Sequence, residues 1–291
     1  MATPATIRAD AVGVARTGAG RANLVFAVDP DGETFLREQF TGYPFHICKP
    51  YRYANDPAGM ATLYLQSLAG GIYQGDRLSL GITADAGAKA HVTTQASTII
   101  QGMERGDAEQ GVTVTAAPDS LVEYLPDPAI LFPRSRLTSR VRVALDPGAL
   151  VMLSESFLCH DPKGEGRPFD WLLSDIVIQD AVGTTLVRDR FQTSGPDFVA
   201  QLSGLSGVRA AQGAFYVVGH DTPGDRLVDA LRAGIDGQDA IYGGASVLPN
   251  GCGAWARLAA PDGAALRAAL LACWSAVRHT LLGCAPDPRR K

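Results

Sequence analysis

Three stretches of the chain carry residue types that do chemistry. The densest runs from Glu155 to Asp170 (ESFLCHDPKGEGRPFD) and sets Cys159, His160 and Asp161 side by side. Thiolate and imidazole suit borderline divalent metals. Neighbours on a strand point to opposite faces, so Cys159 and His160 share one ion only where the chain is a loop. Pro162 and Gly164 favour a loop here. Two readings follow, a polar connection between strands and a transient metal contact, and the first is the more ordinary. The second stretch, Leu68 to Leu78 (LAGGIYQGDRL), is rich in glycine. A phosphate cradle needs a helix N-terminus after its glycines. A strand pattern follows instead, which argues against phosphate. In the third stretch, Glu123 to Phe132, Pro126 and Pro128 flank Asp127 in an apolar setting. Such a run ends a strand sharply and holds a rigid, exposed corner. That corner serves topology or a partner surface.

The common catalytic signatures do not occur. There is no GxxxxGK[ST] loop, no GxSxG elbow and no HExxH helix. His46 and His220 stand alone and read as structural or surface residues. A Ser-His-Asp triad would have to assemble across long distances, and no residue pattern marks one.

The elements that position these residues are mostly strands. Between about residues 20 and 220, short apolar-alternating runs are punctuated by Gly, Pro and Asp. Leu78, Leu80, Ile82 and Ala84 share one face of a clean period of two, and residues 139–145 repeat the pattern. A period of two lets each strand cover a core with one face and keep the other polar. The last third changes. Residues 223–234 have helical spacing, with Asp225 placed to cap the start and Gly234 the end. A longer helix is expected over about 262–283, with Leu266, Ala269, Cys273, Trp274 and Val277 in one broad stripe and Gly283 as the stop. Its apolar surface is wider than a narrow stripe, so part of it is expected to face a partner. The fold class is therefore mainly β, a single domain over 1–291 with a few helices near the C-terminus and a flexible segment over 1–20.

Composition narrows the function. Of 291 residues, 46% are hydrophobic and 19% charged, enough for a sizeable core. The net charge is −4 and the only basic run is Arg289, Arg290 and Lys291, which argues against nucleic acid and acidic membranes as partners. Five widely spaced cysteines without a CxxC pair argue against a disulfide framework or a zinc knuckle. The N-terminus lacks the apolar core of a secretory signal, and no run approaches the ~18 apolar residues of a membrane span, so the cytoplasm is expected.

Four segments, in order, resemble the UreD (UreH) family of urease accessory proteins. They are Ala69 to Leu78 (AGGIYQGDRL), Ala90 to Thr98 (AHVTTQAST), Leu121 to Phe132 (LVEYLPDPAILF), and the late helix with Trp274, Arg278 and Gly283 before Pro288 and Arg289. The family pattern of a Gly-Arg pair with a nearby acidic residue is displaced here to Gly166, Arg167 and Asp170, which puts local partner contacts in question. The resemblance implies stacked β-sheets with a helical course. It implies a non-enzymatic scaffold that assists GTP-dependent nickel insertion, with a UreF-type accessory protein, a UreG-type GTPase and apo-urease as partners. No tightly bound cofactor is implied, at most nickel in transit along a polar internal route. Such a route needs oxygen, nitrogen or sulfur donors. Asp76 and Glu155 are the first candidates for it, and Cys159 and His160 the second. For Asp76 a role as turn cap is equally available. The alternative is a β-rich hydrolase whose active site the sequence hides.

Overall fold

The computed structural model describes residues 18–202, 206–220 and 222–287. The expected flexible segment lies almost wholly outside the described residues. The described chain forms seventeen strands and three α-helices. The strands are β1 (Ala19–Val28), β2 (Thr34–Thr41), β3 (Phe45–Ile47), β4 (Ala61–Ser67), β5 (Arg77–Ala84), β6 (Lys89–Thr94), β7 (Ile99–Ile100), β8 (Ala108–Ala116) and β9 (Leu121–Tyr124). They continue with β10 (Ala129–Leu131), β11 (Arg136–Leu145), β12 (Leu150–Cys159), β13 (Trp171–Asp180), β14 (Thr185–Ser194), β15 (Ala211–Gly219), β16 (Tyr242–Val247) and β17 (Gly253–Ala260). The helices are α1 (Gly195–Val199), α2 (Gly224–Asp236) and α3 (Gly263–Leu282).

Two sheets result. The first has the order β14-β13-β11-β8-β5-β1-β2, and the second β16-β17-β15-β12-β9-β6-β4-β3 with β10 and β7 attached beside β12. From β5 to β13 the chain visits the two sheets in turn, so it coils as it advances. Neighbours inside each sheet are consequently parallel, as in β5–β8, β8–β11 and β11–β13 of the first sheet and β6–β9 and β9–β12 of the second. Parallel neighbours need a long crossover. Here each crossover is a strand of the opposite sheet. This is the stacked-sheet fold with a helical course that the resemblance implied.

The period of two decides what faces inward. Leu78, Leu80, Ile82 and Ala84 of β5 are buried while the residues between them are not. Leu80, Ile82 and Ala84 meet Val92, Val122, Val151 and Leu153 of the second sheet in the core between the layers, and Leu78 packs in a neighbouring cluster with Phe157 and Leu172. The other face of the second sheet is covered by α2 and α3, where Met152, Phe215 and Val217 pack against Leu231, Leu266 and Val277. β12 is therefore enclosed on both faces, which explains its nearly continuous apolar run. Burying a side chain of this size is worth about 1.5–3 kcal/mol.

α3 begins and ends as its sequence specifies. Asp262 accepts a hydrogen bond from the Ala265 N–H at 2.8 Å, and Gly283 closes the helix at φ 68°. The reading of α2 needs correction. The helix runs past Gly234 to Asp236, and Asp225 lies in its first turn without making a cap bond. Gly234 is buried where the two helices touch: a Cβ there would sit 3.0 Å from the Cys273 backbone nitrogen. The glycine serves close packing rather than termination. Among the described residues no helix is long and apolar enough to cross a membrane.

A candidate functional site at a break in the second sheet

The centre of the second sheet is interrupted. β9 pairs with β6 and β12 as far as Tyr124, and pairing resumes only at Ala129 and Ile130 of β10. Residues 125–128 leave the ladder. So do residues 95–98, between β6 and β7. β12 runs straight past, so Ser154, Glu155 and Ser156 pair with β15 on one side and with no strand on the other. The cause is local. Pro126 and Pro128 have no N–H to give a ladder, and each restricts the residue before it. The departing loop is pinned by two threonines. Thr93 Oγ1 donates to the Leu125 carbonyl at 2.6 Å, and the Asp127 N–H donates to Thr94 Oγ1 at 2.9 Å. The corner expected to be exposed is thus partly buried in a slot between strands.

A cavity opens on each side of this slot. One, of about 370 Å³, lies between the sheets and is lined by Tyr124, Ser139, Ser154, Glu155 and Ser156 among others. The other, of about 620 Å³, lies between the second sheet and α3 and is lined by His91, Thr93, Arg267 and Trp274 among others. Pro126, Asp127 and Ser154 line both.

The inter-sheet cavity is polar at its inner end. Glu155 accepts a hydrogen bond from Ser174 Oγ of β13 and takes a second from Ser139 of β11. Burial pushes the Glu155 carboxyl above its ordinary value. The two serine bonds and Arg257 pull it down less than burial and Asp189 push it up. On the opposite face of β12, toward α3, Ser156 is 6% exposed, and its Oγ has no hydrogen-bond partner among the described residues. A buried hydroxyl left unpaired is costly and marks a place where a further polar group would be welcome.

A second buried polar cluster borders the cavity under α3. Glu123, fully buried on β9, meets Arg278 of α3 through two hydrogen bonds: Nε donates to Oε1 at 2.7 Å and Nη2 to Oε2 at 2.7 Å. His91 Nδ1 lies 2.7 Å from Glu123 Oε2, and Trp274 Nε1 donates to Oε1 at 3.1 Å. Arg278 Nη1 also donates to Asp56 Oδ1 at 2.7 Å. The His91 ring stacks on Trp274 at 4.8 Å. Burial alone would raise the Glu123 carboxyl, but the hydrogen bonds from His91 and Arg278 outweigh it and hold it at about 2. Every part of this cluster is tightly bonded, so it fastens α3 to the sheet.

Of the four residues named from sequence as possible nickel contacts, only Glu155 lines a cavity. Asp76 is buried at the turn before β5, where its carboxylate accepts from the Tyr73 N–H at 2.8 Å, and it lines neither cavity. Cys159 ends β12, half-buried, and burial raises its thiol. His160 is exposed, its ring 5.8 Å from Phe132. The loop after it is organised by Asp161, which accepts from the N–H groups of Lys163 at 3.0 Å and Arg167 at 3.0 Å and pairs with the Arg167 guanidinium at 2.7 Å. Among the described residues no three His, Cys, Asp or Glu side chains come together so as to hold a metal ion. The sequence reading passed over Asp127, Ser154 and Ser156 as site residues. The signal for Asp127 was its position between two prolines. The signal for the serines was a polar interruption in the apolar run of β12.

The chain matches the family model described as UreD urease accessory protein over residues 18–291. It is 41% identical over 271 residues to urease accessory protein UreD 1 of Pseudomonas syringae pv. syringae (strain B728a), covering 93% of this chain and 95% of that one. It is 42% identical over 273 residues to urease accessory protein UreD 1 of Methylorubrum extorquens (strain PA1), covering 93% and 91%. Urease accessory protein UreD of Natronomonas pharaonis is 33% identical over 290 residues, covering 95% and 91%. With matches of this extent, and a fold in which the four sequence segments become the turn before β5, the two edges of the slot and the helix bolted across it, the chain belongs to the UreD family of urease accessory proteins.

Proposed function

We propose that this chain is a non-catalytic scaffold of urease maturation that passes nickel through its own interior, by way of the slot in the second sheet. The assembly it serves holds a UreF-type accessory protein, a UreG-type GTPase that supplies nucleotide hydrolysis, and apo-urease. Its place of work is the cytoplasm. The observation that carries this reading is the pair of cavities on opposite faces of one sheet, which share Pro126, Asp127 and Ser154 as lining residues where the ladder is interrupted. A divalent ion crossing an apolar sandwich would lose its hydration without compensation. Asp127, Ser154, Ser156 and Glu155 give it successive oxygen contacts instead. A buried carboxyl such as Glu155 favours its neutral form in the empty cavity and becomes a carboxylate when a cation arrives. Asp76 supports the route indirectly, by holding the glycine turn before β5, while Cys159 and His160 stand outside the path.

The test is co-expression of urease with all its accessory proteins, using Glu155→Gln in place of the parent. Gln keeps the volume and the hydrogen-bonding oxygen but removes the charge offered to a cation. The variant is expected to assemble normally in pull-down and to deliver several-fold less nickel per urease. Full nickel content with normal assembly would refute passage by way of Glu155.

A further inference from the structure

The outer face of the first sheet carries a patch of arginines. On β11, β13 and β14 the apolar residues Val141, Val143, Ile176, Ile178 and Val187 turn to the core. The residues between them turn outward, and the register sets them in two rows: Arg140, Asp175 and Arg190 in one, Arg142, Val177 and Arg188 in the other. Four guanidiniums share this patch with Asp175, and with Glu109 of β8, which pairs with Arg140. That excess of positive charge stands in a chain whose net charge is −4. Arg142 Nη2 donates to Asp175 Oδ2 at 2.7 Å. Arg188 Nε lies 3.4 Å from Asp175 Oδ1 without a hydrogen bond, and its side chain is 55% exposed. Burial alone would raise the Asp175 carboxyl, but Arg142, Arg188 and Arg190 together hold it below its ordinary value. Arg190 is exposed and makes no hydrogen bond or salt bridge among the described residues.

We propose that this patch docks an acidic protein segment, extended along the strands and carrying carboxylates at alternate positions. This rests on the scaffold reading above and not on the nickel route. Residues two apart on a strand stand about 6.6 Å from one another. That is the spacing of Arg140 from Arg142 and of Arg188 from Arg190. An extended segment repeats its own side chains at the same interval, so alternate Asp or Glu residues meet successive guanidiniums. The planar fork of arginine takes a carboxylate through two parallel hydrogen bonds. Beside the patch, β8 contributes Gly111 and Thr113 to the two rows. A Cβ added at Gly111 would meet nothing nearer than 3.9 Å, so a partner's main chain can come close to the sheet. A nucleic acid or an anionic membrane is the poorer fit. Either would be repelled by the acidic remainder of the surface, whereas a short segment meets only the patch.

The experiment is a pull-down of the full-length chain, co-expressed with the UreF-type protein, the UreG-type GTPase and apo-urease, scoring each partner retained. The double variant Arg188→Glu/Arg190→Glu is expected to melt near the parent and to retain at least one of the three partners tenfold less. Arg188→Lys/Arg190→Lys keeps the charge and is expected to retain most of that partner. In the parent, the same contact should weaken several-fold as NaCl rises from ~0.05 to ~0.3 M. Should the double glutamate variant melt well below the parent, Arg190→Glu alone decides, because Arg190 holds no other side chain in place. Parental retention of all three partners by a folded glutamate variant overturns the proposal. So does equal loss in the lysine and glutamate variants, which would mark a packing defect. Loss of binding to RNA or to phosphatidylserine vesicles, with all three partners retained, gives the patch to phosphate instead and also overturns it. If the parent itself retains none of the three, the scaffold reading fails and this inference with it. If parent and glutamate variant retain them alike, this inference fails alone.

Discussion

Glu123 and Glu155 lie on neighbouring strands and are tuned in opposite directions, with opposite consequences for stability. Glu123 is held at about 2, below its ordinary 4.5. A depressed carboxyl contributes stability that is complete above the unfolded value and lost as pH falls through the folded one. Acid unfolding should therefore steepen between pH 4.5 and about 2, measured as stability against pH, and Glu123→Gln should flatten that limb. Glu155 is raised by burial. A raised carboxyl contributes stability present below the unfolded value and lost as pH climbs through the folded one. Glu155→Gln should thus melt at the same or higher temperature than the parent at neutral pH, even as nickel delivery falls. Arg278→Met strips the guanidinium from buried Glu123 and leaves it only His91 and Trp274, and should cost about 3–5 kcal/mol by chemical denaturation. Glu155 was legible in the sequence because a charged residue interrupts an apolar strand. The Glu123–Arg278 pair was not, because its members are separated by 155 positions and only the coiling of the chain brings β9 under α3.

At the scale of elements, the ends of α3 were readable, those of α2 were not, and the sheet order was the least readable feature. Asp262 caps α3 through a local bond that sequence spacing already contains. Asp262→Ala should cost about 1 kcal/mol, seen as a lowered melting temperature. Gly234 shows the limit of such local reading. A glycine near the end of a helical pattern resembles a stop, but its reason lies on α3, far along the chain. Gly234→Ala places a methyl 3.0 Å from the Cys273 nitrogen. It should destabilise by about 1–3 kcal/mol where an exposed helical Gly→Ala would stabilise. The slot was half legible. Two prolines announce that a strand stops at residue 125, but a strand that stops at a sheet edge and one that stops in mid-sheet have the same local sequence. The difference is made by β12 continuing alongside, and no local pattern states which strand lies beside which.

At the scale of the whole molecule, the fold explains why a protein without catalytic motifs has so polar an interior at one place. Coiling between two sheets builds parallel ladders without helical crossovers, and covering one sheet with α3 leaves its central strands without a face to water. A break in such a sheet has a cavity on each face. The period of two and the late helices announced the layers. The relation of the cavities to one another depends on three lining residues, Pro126, Asp127 and Ser154, drawn from different turns of the coil. Ser154 lines both cavities and is 5% exposed, so it is the place to close the passage without touching a charge. The most direct test of the account is nickel content per urease after co-expression with Ser154→Leu, with Ser154→Thr as the control that keeps a hydroxyl. With both variants shown by pull-down to assemble, the account predicts that the leucine variant delivers several-fold less nickel while the threonine variant stays near the parent. Parent-level nickel content with Ser154→Leu in an intact assembly would contradict it.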